Sequence, residues 1–527
     1  MSDFFAPDRV GAGNLLAVAA THPQISATCR IELDHGYHGP DGREYHRFTL
    51  PELDTLATGI AAGFHRAGVR AKDPVGIFVS EGARYLVNFA ALTKLGAIPV
   101  FINSYLDPAV ATKIFEKVGV THFVTDVDHD VDSVGAVKHL SEPYDGAGDD
   151  FTPYEHALND PVLIAHTSGT TGVPKAVQFN HGGFYYGVYR QRTAELGKRI
   201  LSALPQSHGS AISVVMSAVV RGATIRLVTD RTPRTLAAGI AEFRPALVAA
   251  FPRAFVDLCR LDLDRYDLSS VARWMSTGDA NHETHIRELI RHGTYTGRDG
   301  MTASGSLFID NFGSSEFGFA MFRNVHAPGT DRYGRCIGKP FEWVDVRVLG
   351  DNDKPAPPLT VGRLALKSPT MTAGYWNDTS RSEKNRLSGY WLTGDLAFQD
   401  DRGLCYHVDR TTDKIVYSDG ETYSALAEEL VMAEIDEIFD CSLVSTYDQA
   451  TDGRGTTRGE IILTVDVRHD GVDSEVLRSR VNVVLRDAGM PTVDKLMVQS
   501  SGGYLGVTGK ALKRDMRDDF RSSKAAR

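Results

Sequence analysis

The sequence predicts an α/β fold spread over more than one domain. Three observations carry this. Apolar stretches of helical and of strand period alternate between residues 48 and 125, and the alternation resumes between 221 and 251. A loop dense in hydroxyls and glycines follows the apolar run Val162-Leu163-Ile164-Ala165. The chain has 527 residues, more than a single core usually holds.

Leu50-Pro51-Glu52-Leu53 opens a helical pattern that runs to about Ala67. Pro74 to Val79 reads as a buried strand. Tyr85 to Leu95 is apolar at helical spacing and is stopped by Gly96, and Ala97 to Ile102 is the next strand. Val120 to Thr125 adds another. Strands joined by helices in this way predict parallel pairing through right-handed crossovers. Asp126 to Asp132 is an acidic turn lacking the glycine and distal glutamate of a calcium loop. Residues 140–155 read as a surface linker. Arg221 to Val228, Pro245 to Phe251 and Ala272 to Met275 are the strands of a second alternating unit. Further on, Leu426 to Phe439 reads as helix, Asp440 to Ser445 and Gly459 to Val465 as strands, and Val472 to Ala488 as helix. That is enough for a small α+β unit with its own core. Residues 515–527 read as a polar tail.

Bulk properties narrow the function classes. The composition, 42% hydrophobic and 24% charged, is that of an ordinary globular protein. A net charge of −10 argues against general nucleic-acid binding. Cys29, Cys259, Cys336, Cys405 and Cys441 are scattered, with neither a disulfide frame nor a C-x-x-C pair. The N-terminus shows no basic-then-apolar leader, and no apolar run approaches the ~20 residues that cross a bilayer. The expectation is a cytoplasmic enzyme without a membrane partner.

The chemistry centres on Thr167-Ser168-Gly169-Thr170-Thr171-Gly172-Val173-Pro174-Lys175. Glycines let the backbone approach an anion closely, successive amides cradle it, hydroxyls add donors and a lysine adds a point charge. The stretch is therefore a polyphosphate loop. It is not a Walker A loop, because no G-x-x-x-x-G-K-[ST] occurs.

This stretch resembles the phosphate-loop signature of the adenylate-forming enzymes: acyl-CoA synthetases, adenylation domains of peptide synthetases, and luciferases. Matching pieces follow in family order from about Phe48 to Lys510. The resemblance implies a large N-terminal domain of two doubly wound α/β subdomains plus a distorted β-barrel, and a small mobile α+β C-terminal domain. Arg335 to Pro340 and Gly362 to Lys367 would be barrel strands, and Gly374-Tyr375-Trp376-Asn377 also fits the pattern. The expected boundaries are 1–409, a hinge at 410–413, and 414–527.

The same resemblance assigns roles. Thr167, Ser168, Gly169, Thr170, Thr171, Gly172 and Lys175 would hold the β- and γ-phosphates of ATP. His208, in Pro205-Gln206-Ser207-His208, would border the acyl pocket as a catalytic-site residue. Asn311, Phe312, Gly313, Ser314 and Ser315 would surround adenine and the α-phosphate, with Phe312 stacked on the base. Glu316 would hold Mg²⁺, which favours carboxylate oxygens. Asp395 would take the ribose hydroxyls and Arg410 the ribose and phosphate. Lys510, in Gly509-Lys510, would be the catalytic lysine.

There are departures from the pattern. Asp279 stands where relatives have a glycine. It would either accept from an adenine or substrate amine, or cap a helix starting near Asn281. Asp409 replaces a glycine at the hinge, Thr412 stands where many relatives have Asp or Lys, and 504–506 diverge. His282-Glu283-Thr284-His285 has the wrong spacing for a zinc helix and reads as a polar helix face.

Three functions follow as expectations. The first is ATP-dependent activation of a small or aromatic carboxylic acid, passed to CoA or a carrier-protein thiol. The second is activation of nitrite for reaction with an aryl amine. The third is a non-catalytic adenylate-binding regulator.

Overall fold

The structure is a computed structural model. It describes residues 3–126, 138–146, 151–167, 174–297, 300–331, 333–417, 420–446, 459–499, 504–506 and 511–525. The chain divides into two compact units. The first comprises Met1–Ala280, Glu288–Pro328 and Ser368–Lys384, and the second Asn281–Arg287, Gly329–Lys367 and Asn385–Arg527.

The first unit is built on two sheets. One has the order Lys138–Leu140, His122–Thr125, Pro74–Phe78, Ile98–Phe101, Pro161–His166, Ala176–Asn180, parallel except at its last pair. The other runs Phe322–His326, Leu307–Phe312, Arg273–Thr277, Leu247–Ala250, Arg199–Ser202, Thr224–Leu227, Arg30–His38, Glu44–Thr49. Its five central pairings are parallel and the two outer ones antiparallel. Parallel strands covered by helices must be apolar on both faces, which explains continuous runs such as Leu247–Ala250.

The helix Leu50–Ala67 shows how local sequence sets these elements. Thr49 accepts from the Glu52 amide while Glu52 accepts from the Thr49 amide at 2.8 Å, forming a capping box. Gly68 closes the helix at φ +104°, where a Cβ is disfavoured. Leu53, Leu56, Ile60 and Phe64 form its buried stripe. Each such burial contributes roughly 1.5–3 kcal/mol.

The second unit contains an antiparallel sheet of Asp345–Leu349, Gly362–Lys367, Tyr390–Gln399, Cys405–Arg410 and Cys336–Pro340. It also contains a three-stranded sheet of Ile438–Ser445, Ile461–Val467 and Lys495–Val498. Helices Ser424–Glu434 and Ser474–Asp487 complete that core through Val431, Met432, Leu477, Val481 and Leu485.

Three expectations about the fold are corrected. The helix expected to reach Phe439 ends at Glu434, because Ile438 already pairs with Val467. Residues of the expected tail form the helix Lys513–Ala525, whose Met516 and Phe520 pack on Val444 and Ile462. Their four-residue spacing puts two apolar side chains on one face of an otherwise charged helix. His282 and His285 do not make a solvated face. His285 is buried with its Nε2 at 2.9 Å from the Phe439 carbonyl, and His282 Nδ1 lies 2.7 Å from Glu429. The strands Arg30–His38 and Glu44–Thr49 were not anticipated at all.

Among the described residues no helix is long and apolar enough to cross a membrane. None of the five cysteines is in a disulfide.

Candidate active site

The loop expected to hold phosphates follows the strand Pro161–His166 and precedes the strand Ala176–Asn180. Ser168, Gly169, Thr170, Thr171 and Gly172 lie outside the described residues. The two ends of the loop are clasped: the Thr167 amide donates to the Lys175 carbonyl at 3.0 Å, and the Lys175 amide to Thr167 Oγ1 at 3.4 Å. His166, just ahead, accepts from the Asn103 amide through Nε2 at 3.1 Å. Burial holds its imidazole below the ordinary range, although a bond to the Thr167 carbonyl pulls the other way.

Lys175 Nζ lies 3.2 Å from Tyr375 Oη and 3.9 Å from Glu316 Oε1, and Tyr375 Oη donates to the same Glu316 oxygen at 2.9 Å. Three distant stretches thus meet at one point. Backbone pairing holds them there. Val177 bridges Tyr375, the Trp376 amide donates to Ala176 at 2.8 Å, and the Thr372 amide donates to the Glu316 carbonyl at 2.8 Å. The motif carrying Glu316 was legible in the sequence, but the role of Tyr375 in fixing its carboxylate was not. Gly374-Tyr375-Trp376-Asn377 fits the family pattern, but the carboxylate that the tyrosine meets is known only once the strand beside it is placed.

Phe312 ends the strand Leu307–Phe312, its ring 5.6 Å from Phe322 and 6.1 Å from Phe317. Gly313 follows where a Cβ would press on Thr277 Oγ1 at 3.3 Å, so the turn toward Ser314 and Ser315 is tight. Ser315 begins the short 3₁₀ turn Ser315–Phe317, which carries Glu316, and Gly318 closes it at φ +69°. A Cβ on Gly318 would lie 2.2 Å from the Thr370 carbonyl, so a side chain is excluded twice over.

His208 caps the helix Gly209–Val219. Its Nδ1 accepts from the Ser210 amide at 3.1 Å, and its ring meets Phe251 edge-on at 5.0 Å. Asp279 is exposed and accepts from the adjacent Ala280 amide at 3.0 Å. The helix beyond begins at Glu283, not near Asn281, so the capping alternative for Asp279 is corrected. Asn311 is buried, and its Oδ1 accepts from Arg323 Nε at 3.2 Å.

In the second unit Asp395 is buried on Tyr390–Gln399, directly across from Arg410. Arg410 Nε lies 3.3 Å and His407 Nε2 3.5 Å from Asp395 Oδ1. Burial opposes the Asp395 charge, but Arg410 and then His407 outweigh it, so the carboxyl sits below its usual range. Gly394, at φ +80°, lets its carbonyl accept from the Thr411 amide at 2.9 Å. Asp409 is not a bystander. Its Oδ2 accepts from Ser424 Oγ at 2.9 Å and the Ala425 amide at 3.3 Å, capping the helix Ser424–Glu434 from a neighbouring strand. Arg517 Nη1 lies 3.2 Å from both the Thr412 carbonyl and Asp413 Oδ1. Lys510 lies outside the described residues.

No group of three or more His, Cys, Asp or Glu among the described residues could hold a metal on its own. A single carboxylate with its orientation fixed by Tyr375, beside Lys175, is still a fitting donor for Mg²⁺. That ion usually takes one or two protein carboxylates and completes its shell with water and phosphate oxygens.

A family model described as AMP-binding enzyme matches residues 17–376. A 3-aminoavenalumate diazotase from Streptomyces sp is 38% identical over 536 residues, covering 97% of this chain and 96% of the relative. A 2-succinylbenzoate–CoA ligase from Bacillus cereus is 24% identical, covering 74% of this chain and 79% of the relative. Among solved structures, an anthranilate CoA ligase in complex with anthranoyl-AMP superposes with a TM-score of 0.82 at 18% identity, covering 98% of each chain. The chain belongs to the AMP-binding enzyme family, the ATP-dependent adenylate-forming enzymes to which the motifs pointed.

Proposed function

We propose that this enzyme uses ATP to activate nitrite and delivers the nitroso group to an aromatic amine, making an aryl diazonium. The observation that carries the reading is the 38% identity over nearly the whole of both chains to a diazotase. The CoA ligase is matched at 24% over about three quarters. The name 3-aminoavenalumate puts an amine and a carboxylate on one substrate, so the amine used here is taken to carry an acid as well.

The chemistry balances in two halves. A nitrite oxygen bonds to the α-phosphorus and pyrophosphate leaves. The amine nitrogen then bonds to the nitroso nitrogen as the N–O bond to AMP breaks. Loss of an amine proton, protonation of the nitroso oxygen and loss of water give the diazonium.

Negative charge builds on the phosphate oxygens in the first half, so fixed positive charge is what the protein supplies. In this reading Thr167 to Lys175 hold the β- and γ-phosphates and Ser315 the α-phosphate, with Phe312 against adenine. Tyr375 keeps the Glu316 carboxylate aimed for Mg²⁺, which when bound offsets phosphate charge. Asp395 and Arg410 take the ribose, and Lys510 contacts the α-phosphate. Residues 410–413 act as the hinge between a large domain at 1–409 and a small one at 414–527. Asp279, exposed and without a helix to cap, is suited to receive an amine proton. The enzyme works in the cytoplasm.

A second reading, activation of an aryl carboxylate for transfer to CoA or a carrier thiol, is supported by the CoA ligase among the relatives. One assay separates the two. Purified enzyme with ATP and Mg²⁺ is given nitrite, an aryl amine acid, or CoA, singly and together, and AMP is measured. AMP that requires nitrite and ignores CoA supports the diazotase. AMP formed from the acid and CoA without nitrite overturns it.

A further inference from the structure

His407 stands half-buried on the strand Cys405–Arg410, and Arg335 grips it twice. The His407 amide donates to the Arg335 carbonyl at 3.0 Å, and Arg335 Nη2 lies 2.8 Å from the ring Nδ1. A guanidinium carries donors only, so Nδ1 is the acceptor of that bond. In the neutral ring the proton then sits on Nε2. That nitrogen faces Asp395, 3.5 Å from Oδ1. Arg335 thus selects the tautomer, and the tautomer turns an N–H toward the carboxylate.

Arg335 is held where it is at a cost. It is buried, and its backbone is left-handed at φ +64°. A residue with a side chain is disfavoured in that region and stays there only when its surroundings over-determine it. Its charge is answered nearby. Burial opposes the charge of Glu429, but the His282 hydrogen bond, then the charges of His282 and Arg335, hold that carboxyl at about 2.

Arg410 Nε also approaches Asp395 Oδ1, at 3.3 Å, but the two groups differ in how firmly they are fixed. The Arg410 side chain is 54% exposed and that of His407 12%. An exposed guanidinium expected to reach ribose and phosphate is able to leave the carboxylate. A ring bonded through its own amide and through Nδ1 is not. A carboxylate has about four acceptor sites, which leaves room for both ribose hydroxyls beside one N–H.

We infer that His407, set by Arg335, is a positioning residue for the Asp395 carboxylate, and that it governs how strongly a ribonucleotide is preferred over one without ribose hydroxyls. The inference rests on the expectation that Asp395 takes the ribose. It is independent of whether nitrite or an acid is activated.

The test is equilibrium binding of AMP and of dideoxy-AMP, which lacks both ribose hydroxyls, to the full chain and to His407→Phe, His407→Gln and Asp395→Asn. The wild type is expected to prefer AMP by about ten- to hundredfold, the scale of hydrogen bonds to a charged group. His407→Phe keeps a planar ring without its nitrogens. It should cut that preference about tenfold by weakening AMP alone, and unchanged dideoxy-AMP binding would report an intact fold. His407→Gln can accept from Arg335 through its amide oxygen and donate to Asp395 through its amide nitrogen, so it should restore most of the preference. An undiminished preference in His407→Phe, or an equal loss for both nucleotides, overturns the proposal and leaves Asp395 in its role. Equal binding of both nucleotides by the wild type, or a preference that survives Asp395→Asn, takes the ribose away from Asp395 and overturns the proposal with it.

Discussion

Tyr375 Oη donates to Glu316 Oε1 at 2.9 Å, and the same hydroxyl lies 3.2 Å from Lys175 Nζ. One phenol therefore positions the carboxylate expected to hold Mg²⁺ and the lysine that ends the phosphate loop. Tyr375→Phe keeps the ring and the backbone bridge to Val177 but removes both contacts. We expect kcat/KM for ATP to fall about ten- to hundredfold, the scale of a hydrogen bond to a charged group. The melting temperature should move little. Steady-state kinetics beside a thermal melt check both.

Glu316→Gln removes the charge and keeps the shape. The expected loss in kcat is about 10²–10³-fold, as for other single contacts to developing phosphate charge. The Mg²⁺ concentration giving half-maximal rate should rise with it. An unchanged Mg²⁺ titration would move the metal elsewhere.

Asp395 has its pKa lowered by Arg410 and His407 against the pull of burial. A lowered folded-state pKa adds stability that is present above the unfolded value of about 3.9 and is lost as pH falls through the folded value. Asp395→Asn should therefore flatten the acid side of the stability curve. It should also weaken AMP binding at neutral pH. Denaturation between pH 2 and 5 reads the first effect and calorimetry the second.

His282 gives the opposite sign. Burial disfavours its charged form, but the hydrogen bond and charge of Glu429 outweigh this and raise its pKa, while Glu429 itself is held at about 2. Stability from such a histidine is fully present below the unfolded value of about 6.5 and fades as pH rises through the folded value. His282→Asn should remove that slope. Thermal melts between pH 6 and 9 would show it, and a variant that keeps the slope would place its origin at another group.

Lys510→Ala should slow formation of the activated species by orders of magnitude, because it removes a charge from the transition state. It should spare the reverse test in which aryl amine meets preformed activated nitrite. Equal loss in both halves would contradict the assigned role.

Much of the fold was legible because parallel strands buried on both faces leave continuous apolar runs, and capped helices leave punctuation such as Thr49-x-x-Glu52 and Gly96. The strand Arg30–His38 was not legible, since its bulge and charged face blur any two-residue period. The helix Lys513–Ala525 hid for a related reason, with only Met516 and Phe520 marking its buried side. In the site, Glu316 announced itself through the glycine and hydroxyls before it. The roles of Tyr375 and Asp409 did not, because each acts through a partner far along the chain, Glu316 for one and Ser424 for the other, and only the folded chain names that partner.

In the proposed reaction a nitrite oxygen bonds to the α-phosphorus of ATP. That step is tested most directly by supplying nitrite labelled with oxygen-18, an aryl amine acid, ATP and Mg²⁺, and weighing the AMP produced. AMP carrying one oxygen-18 atom in its phosphate is expected, because the N–O bond is the one that breaks. AMP free of the label would contradict it.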